Sequence, residues 1–154
     1  GEVAIRSQSN MKGYWRNDDA TAECINSEGW FKSGDLGKFD GPFLYILDRL
    51  KDMVIRGGEN IACPEVEGAI YEHPDVLEAS VFGIPDERLG EILCSSICLR
   101  EGSKLSIESL NEFLSDKLAA FKIPVKIKFT YNPLPKIASG KFDKPTMRQN
   151  FIEE

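Results

Sequence analysis

The spacing of apolar residues divides the chain into a shorter N-terminal part and a longer C-terminal part. In residues 1–48, brief alternating runs predict strands at 1–6, 30–32 and 43–47, a turn at 40–42, and one or two helical turns at 18–23 begun by an aspartate cap. These runs contain too few periodic apolar positions to build a core. We therefore expect residues 1–48 to leave apolar faces exposed and to be the β-rich end of a larger domain.

Residues 52–154 have the pattern of a domain that can bury its own core. The predicted elements are a two-stranded ribbon around 57–58, a helix over 64–72, strands over 76–83, 91–99 and 125–129, a helix capped by Ser106, and a short last helix from Asp143 or Lys144. The helix after Ser106 has the clearest pattern, because its apolar positions recur at helical spacing from Ile107 to Leu118. Since strands and helices mix without regular alternation, the predicted fold class is α+β.

A densely charged segment separates the two parts. Residues 48–52 carry four charges, a density unsuited to a buried strand because an unpaired buried ion is costly. The Gly57-Gly58 pair that follows permits positive φ and a close approach of other groups to the backbone. The pattern predicts either a joint between two rigid pieces or a charged surface turn within a hairpin.

Charge and composition exclude some classes of function. The 154 residues have a formal net charge of −6, which argues against an extended nucleic-acid surface. No apolar run approaches the roughly 20 residues that cross a bilayer. The first residues lack the pattern of a leader peptide. The chain begins without Met and within a strand-like pattern, which we interpret as a segment of something longer.

The cysteines and the single histidine indicate no metal site. Cys24, Cys63, Cys94 and Cys98 form no CxxC pair and have no histidine at zinc spacing. Since Cys94 and Cys98 alternate with apolar residues, we interpret them as buried free thiols in a reducing, cytoplasmic setting. His73 lies near a predicted helix end without a nucleophile motif, so we assign it no catalytic role.

Two polar residues near the charged segment are candidates for binding a nucleotide. Asp35 follows Gly34 where a strand is expected to meet a turn, and its carboxylate can accept hydrogen bonds from both hydroxyls of a ribose. The alternative is an aspartate that bonds its own backbone in a turn. Arg49 offers a planar donor fork suited to phosphate or carboxylate. Its alternative is a surface ion pair with Asp48 or Asp52.

Lys141 is the third candidate. It follows Ser139-Gly140 in a segment whose Pro and Gly content predicts a flexible loop. An ammonium group there can reach an anionic substrate and neutralise negative charge that develops in a transition state. The alternative is a solvated loop lysine. The segment is not a P-loop, because residue 142 is Phe and residue 135 is Pro.

Taken in order, five motifs resemble the C-terminal end of the adenylate-forming (AMP-binding) superfamily, the part that acyl-CoA synthetases, luciferases and peptide-synthetase adenylation domains share. The motifs are GWFKSGD at 29–35, LDRLKD at 47–52, GGENI at 57–61, PEVE at 64–67 and PKIASGK at 135–141. The resemblance covers nearly the whole chain, and the motifs follow one another in the order and spacing of the family.

The resemblance implies a domain organisation and a two-step reaction. Residues 1–48 would end the large AMP-binding domain, 49–51 would be a hinge, and 52–154 would form a small mobile lid domain of mixed short sheets with packed helices. A carboxylate would attack the α-phosphate of ATP to give an acyl-adenylate and pyrophosphate. The thiol of CoA would then displace AMP and form a thioester.

The resemblance also implies residue roles. Asp35 would hold the ribose hydroxyls, Arg49 would contact the nucleotide near its ribose and phosphate, and Ile46 would pack near the adenine. Rotation about Lys51 would exchange the loop-borne Lys141, which serves adenylation, for the CoA-tunnel loop Gly57, Gly58 and Glu59, which serves thioester formation.

Parts of the family pattern are missing from these residues, namely the phosphate-binding loop, the acyl pocket and the glutamate of the magnesium site. We therefore expect a fragment of an ATP-dependent acyl-CoA ligase that is inactive alone, with the missing N-terminal domain as its main partner and Mg²⁺ bound outside the chain. The expected substrates are CoA and a small carboxylic acid, by base rate a fatty acid. A stand-alone binding or regulatory module, an adenylation domain serving a carrier protein and an unrelated nucleotide-binding domain remain alternatives.

Overall fold

A computed structural model describes residues 1–153. The chain divides into two compact units, one from Gly1 to Lys51 and one from Asp52 onward. Each unit has its own sheet, and each is described separately below. Among the described residues, no helix is both long and apolar enough to span a membrane.

Unit 1 is a three-stranded antiparallel sheet with one short helix. Its elements are β1 (Glu2–Ile5), α1 (Asp18–Cys24), β2 (Phe31–Asp40) and β3 (Phe43–Arg49), and the strand order is β1-β2-β3. The helix begins where the sequence predicts it, but the aspartate cap is wrong. Asn17 is the N-cap, and its side chain accepts a hydrogen bond from the Ala20 N–H.

Strand β2 is much longer than the three residues predicted for it, so the expectation that Asp35 lies at a strand end was wrong. Asp35 lies inside β2, opposite β3, although Gly34 before it has a φ of +74°. The only buried residues of unit 1 are Gly37 and Asp48. Large apolar side chains such as Trp15 and Phe39 are exposed, which confirms that this unit has no core of its own.

Unit 2 is built on a five-stranded mixed sheet. Its elements are β4 (Val54–Arg56), β5 (Glu59–Ile61), α2 (Cys63–Tyr71), β6 (Val76–Asp86), β7 (Gly90–Leu99), α3 (Ile107–Ser115), a 3₁₀ turn (Ala120–Lys122), β8 (Lys126–Thr130) and α4 (Lys144–Ile152). The strand order is β5-β4-β7-β6. Strand β8 lies parallel to β7, and the other pairings are antiparallel. The α+β class is confirmed.

The two faces of this sheet are covered by different helices. Alternate residues of β6 and β7 point to opposite faces. On one face, Val81 and Leu93 pack with α2 and α3. The other face packs with α4 and forms what we call the α4-side cluster, which consists of Phe82, Ile84, Cys94, Cys98, Leu134, Met147 and Phe151. Cys94 and Cys98 are buried free thiols, as predicted.

Two predicted element boundaries in unit 2 were wrong. Strand β6 continues through Pro85 to Asp86 instead of ending near Gly83. Because β6 pairs only with β7 among the described strands, it is an edge strand, where the missing N–H of a proline is tolerated. Helix α3 ends at Ser115, although Leu118 beyond it is still buried in the core. The Ser106 cap of α3 is confirmed, since the Ser106 side chain accepts from the Ser109 N–H.

Candidate functional site

Asp35 and Arg49, the two nucleotide-binding candidates of unit 1, face each other across the β2–β3 pair. They are direct partners in the strand register, and Arg49 Nε lies 3.2 Å from Asp35 Oδ1. The guanidinium side chain is 52% exposed and the carboxylate 31%. Both groups therefore combine a fixed partner with open access from solvent.

The backbone around this pair is held by neighbouring side chains. The Asp35 N–H donates to Ser33 Oγ at 3.0 Å, and the Arg49 N–H donates to the carboxylate of the buried Asp48 at 2.7 Å. The Leu50 N–H donates to the Gly34 carbonyl at 2.8 Å, which extends the pairing just past β3. The expected alternative for Arg49 is an ion pair with Asp48 or Asp52, whereas its guanidinium pairs with Asp35.

A β-bulge places Ile46 on the same sheet face as this ion pair. Asp35 pairs with Arg49, but two residues further along β2 Gly37 pairs with Ile46, so that β3 has one extra residue in this interval. Residues 35 and 37 share a face of β2, and their partners across the pair lie on that face with them. Ile46 is 56% exposed there. One face thus offers an acceptor, a donor fork and an apolar side chain.

The residues predicted as a hinge are accessible. Arg49, Leu50 and Lys51 are all exposed, and the chain forms a turn at 50–52. The boundary between the compact units falls between Lys51 and Asp52. Rotation at this place stays a prediction.

Gly57 and Gly58 form the tight turn of the β4–β5 ribbon. Arg56 pairs with Glu59 across the turn, and the two glycines have φ values of +59° and +89°. Positive φ at both central residues is what a type I′ hairpin requires, and glycine adopts it without strain. The Gly57 N–H donates to the Leu89 carbonyl at 2.8 Å. Gly58 and Glu59 are exposed, so the turn presents backbone to solvent.

Lys141 lies at the end of a hydrogen-bonded hairpin, which is more ordered than the flexible loop that the sequence predicts. The Ile137 N–H donates to the Lys141 carbonyl and the Gly140 N–H donates to the Ile137 carbonyl, both at 2.9 Å. Gly140 has a φ of +81°, which suits the last residue of a three-residue hairpin loop. Lys141 itself is exposed. The hairpin backbone is therefore held by hydrogen bonds, while the Lys141 side chain is open to solvent.

Unit 2 holds this hairpin at both ends. Before it, Glu78 of β6 accepts from the Leu134 N–H at 2.8 Å and from Lys136 Nζ at 2.5 Å. After it, Asp143 caps α4 by accepting from the Thr146 N–H at 3.1 Å. The hydrogen bond from Lys136 is the main reason why the pKa of Glu78 lies below its ordinary value, so this carboxylate is ionised at neutral pH.

The family model described as the AMP-binding enzyme C-terminal domain matches residues 65–141, which is half of the chain. The chain belongs to this family. The match ends at Lys141 and includes the hairpin, while Asp35, Arg49 and the glycine turn lie before it.

Relatives of this AMP-binding C-terminal domain extend the similarity to residues before the matched range. Feruloyl-CoA synthase from Amycolatopsis sp is 41% identical over 152 residues, covering 98% of this chain and 30% of the relative. The structure of o-succinylbenzoate CoA synthetase (MenE) from Bacillus subtilis in complex with its acyl-adenylate intermediate is 35% identical, with a TM-score of 0.85, covering 100% of this chain and 30% of that one. The chain thus spans about 30% of the length of the relatives it matches.

MatB from Rhodopseudomonas palustris provides two solved structures for comparison. ATP-bound MatB is 33% identical to this chain, with a TM-score of 0.90. Apo MatB is 34% identical, with a TM-score of 0.69. Each match covers 98% of this chain and 30% of MatB. The chain therefore matches the ATP-bound structure of MatB more closely than the apo structure.

The structure brings three of the predicted site residues together and places most of the others in a different unit. Asp35, Arg49 and Ile46 share one face of unit 1, while Lys141 and the 57–59 turn belong to unit 2. Glu78 is not among the residues predicted from the sequence, although an acidic residue within an apolar strand pattern indicates a buried partner. Among residues 1–153, no group of three or more His, Cys, Asp or Glu is arranged to hold a metal ion.

Proposed function

We propose that this chain is the C-terminal part of an ATP-dependent, AMP-forming acyl-CoA ligase, with the nucleotide contacts of unit 1 joined to the mobile lid of unit 2. The observation that supports it most directly is the placement of Asp35, Arg49 and Ile46 on one sheet face. Acceptor, cation and apolar surface are the three chemistries that ribose, phosphate and adenine need. The whole protein's substrates would be ATP, CoA and a small carboxylic acid.

In the first step, a carboxylate oxygen attacks the α-phosphorus of ATP, and the bond from the α-phosphorus to the pyrophosphate oxygen breaks. Asp35 accepts hydrogen bonds from the ribose hydroxyls, while Arg49 offers its free N–H groups near the ribose and phosphate. Lys141 Nζ bridges the attacking carboxylate and the α-phosphate. These two groups are both negatively charged and approach each other in the transition state, so the ammonium group offsets their repulsion. Mg²⁺ would offset phosphate charge, but the described residues fit no metal site.

In the second step, the thiol of CoA gives its proton to solvent and its sulfur attacks the acyl carbonyl. The bond from the acyl carbon to the phosphate oxygen breaks, and AMP leaves with the electron pair. Rotation at Lys51 withdraws Lys141 and presents the turn of Gly57, Gly58 and Glu59 beside the path of the pantetheine arm. A turn without side chains at two positions leaves backbone accessible to a slender ligand. The different TM-scores against ATP-bound and apo MatB support a change of conformation in that relative.

The free thiols of Cys94 and Cys98 support a reducing, cytoplasmic location, where thiols are kept reduced. Which acid is activated depends on a pocket that the described residues do not form, and a fatty acid remains our base-rate choice.

A chimera provides the sharpest test of the ligase proposal. The 152 aligned residues of feruloyl-CoA synthase would be replaced by this chain, and pyrophosphate release with ATP and ferulate and formation of feruloyl-CoA would be measured. We expect both activities. In the chimera, Lys141→Ala should abolish most pyrophosphate release but spare thioester formation from supplied feruloyl-adenylate. The matched control is Lys104→Ala, which also removes an exposed lysine of unit 2.

The isolated chain provides the second arm. We expect the 154 residues alone to release no pyrophosphate and to bind AMP weakly, because Asp35 and Arg49 supply only part of a nucleotide pocket. Micromolar AMP binding by the chain would favour a stand-alone module instead. A folded chimera in which Lys141→Ala lowers both steps equally would overturn the division of roles.

A further inference from the structure

Glu78 is the one carboxylate of strand β6 that reaches the segment leading into the Lys141 hairpin. Its Oε2 accepts from the Leu134 N–H at 2.8 Å, and its Oε1 accepts from Lys136 Nζ at 2.5 Å. The Glu78 side chain is only 17% exposed. Two contacts, two residues apart on the same segment, fix both the position and the direction of the chain as it enters the hairpin.

The contact continues from Glu78 to the residue beside Lys141. Lys136 forms a β-bridge with Phe142 on the returning side of the hairpin, and its Nζ also lies 5.4 Å from the centroid of the Phe142 ring. Phe142 packs against the α4-side cluster, and the Asp143 N–H donates to the Pro135 carbonyl at 2.9 Å. A chain of direct contacts therefore joins β6 to the immediate neighbour of Lys141.

The position of Glu78 on the sheet is unusual for an acid. Residues of the same parity on β6 are Ser80, Phe82 and Ile84, all buried toward the face that α4 covers. An acid at such a place costs free energy unless its carboxylate is paired. The hydrogen bonds from the segment before the hairpin satisfy both carboxylate oxygens of Glu78. The burial of this acid therefore depends on the segment that it holds.

We propose that Glu78 is a positioning residue for Lys141: its carboxylate holds the base of the hairpin so that the ammonium group points outward from a fixed platform. This inference rests on the proposed role of Lys141 in adenylation. In this role Glu78 would contact neither nucleotide nor acyl group, and it acts through its two hydrogen bonds to the segment that leads into the hairpin. A lysine that must bridge two anions in the transition state needs such a platform, because misplacement by about 1 Å lowers a rate by up to about 100-fold.

Amide hydrogen exchange of the 154-residue chain tests the platform without any activity. In Glu78→Gln, we expect the hydrogen-bonded amides of Ile137, Gly140 and Asp143 to exchange at least about tenfold faster. The matched control is Glu72→Gln, which also removes a carboxylate paired with a lysine, at 2.6 Å from Lys117, and should leave these amides unchanged. Unchanged exchange in a folded Glu78→Gln chain would overturn the proposal.

The feruloyl-CoA synthase chimera then tests the consequence for Lys141. Glu78→Gln should lower pyrophosphate release by about 10- to 100-fold, chiefly through kcat, and leave thioester formation from supplied feruloyl-adenylate unchanged. Faster exchange with normal pyrophosphate release would show a purely structural contact and overturn the positioning role.

A second variant guards against misfolding. Lys136→Met leaves the Glu78–Leu134 hydrogen bond in place, and we expect a smaller effect in the same direction on exchange and on pyrophosphate release. Wild-type behaviour of Lys136→Met in both measurements would contradict the path through Lys136. Failure of the proposed function itself would appear separately, as an unsubstituted chimera that folds and makes no adenylate.

Discussion

Asp35 and Arg49 lie directly opposite each other on β2 and β3, with Arg49 Nε 3.2 Å from Asp35 Oδ1. The pair lies on a sheet that has almost no core, so it is not needed to neutralise a buried charge. It uses one nitrogen of Arg49 and one oxygen of Asp35. The remaining donors and the second carboxylate oxygen remain available to a ligand, which is the arrangement expected of a nucleotide site formed before binding.

The first prediction separates a binding role of this pair from a structural one. Because the Arg49 side chain is 52% exposed, the pair should contribute at most about 1 kcal/mol to the free energy of unfolding. In an active chimera, Asp35→Ala should instead raise the KM for ATP by about 10- to 100-fold, since hydrogen bonds to a charged group contribute about 1.5–3 kcal/mol.

Urea unfolding of the chain and steady-state kinetics of the chimera measure the two effects. Lys38→Ala, which removes an exposed side chain from the same strand, is the control and should change neither. A loss of stability as large as the loss of ATP affinity would identify Asp35 as structural.

The second prediction concerns Gly58, where conformation and space can be separated. Its φ is +89°, and a Cβ added there would meet no atom within 4 Å. Asparagine tolerates this conformation better than a branched residue does. Gly58→Val should therefore destabilise the chain by about 1–2 kcal/mol and Gly58→Asn by less.

If CoA passes this turn, even Gly58→Asn should slow thioester formation from supplied adenylate, while pyrophosphate release stays normal. Thermal unfolding and the two half-reactions of the chimera give these values. Normal thioester formation in a folded Gly58→Asn chimera would remove the turn from the CoA path.

Local patterns predicted the elements of unit 2 well because the information lies within a few residues. Ser106 before an amphipathic run predicts a capped helix, and Gly57-Gly58 between two apolar runs predicts a tight hairpin; both are present. The predicted ends of strands and helices were wrong where contacts with distant parts of the chain determine them. Strand β6 extends through Pro85 because no strand of the described residues pairs with its outer edge, which no local pattern reveals.

The contacts of the candidate site needed the register between strands. Neither the pairing of Asp35 with Arg49 nor the bulge that turns Ile46 to the same face follows from sequence spacing, because one extra residue in β3 reverses the expected face. The parallel pairing of β8 with β7 is also non-local. The family resemblance selected Asp35, Arg49 and Lys141, but it gave no indication of Glu78, which holds the hairpin from a distant strand.

The third prediction follows from the lowered pKa of Glu78. The hydrogen bond from Lys136 favours the ionised carboxylate in the folded chain, so the folded pKa lies below the unfolded one. The stabilisation is therefore fully present above the unfolded pKa and is lost as the pH falls through the folded pKa.

Urea unfolding of the native chain and of Glu78→Gln at a series of pH values measures this contribution to the free energy of unfolding. The stability difference between the two should be constant near neutral pH and shrink on acidification below about pH 4. A difference that grows on acidification would mean that the carboxylate is destabilising when ionised.

The last prediction concerns the thiols. Cys63, Cys94 and Cys98 are buried, and burial raises the pKa of Cys94 to about 11 and also raises that of Cys98. At pH 8 about one Cys94 thiol in a thousand would be ionised even if reagent reached it, and the thiolate is the reactive form.

Cys24 is only partly buried, in unit 1. Titration of the native chain with a disulfide reagent at pH 8 should therefore find one fast thiol, denaturation should release all four, and Cys24→Ser should remove the fast one. Fast reaction of Cys94 or Cys98 in the native chain would mean that the α4 side of the sheet opens readily, and that the hairpin of Lys141 rests on a less rigid base than these contacts indicate.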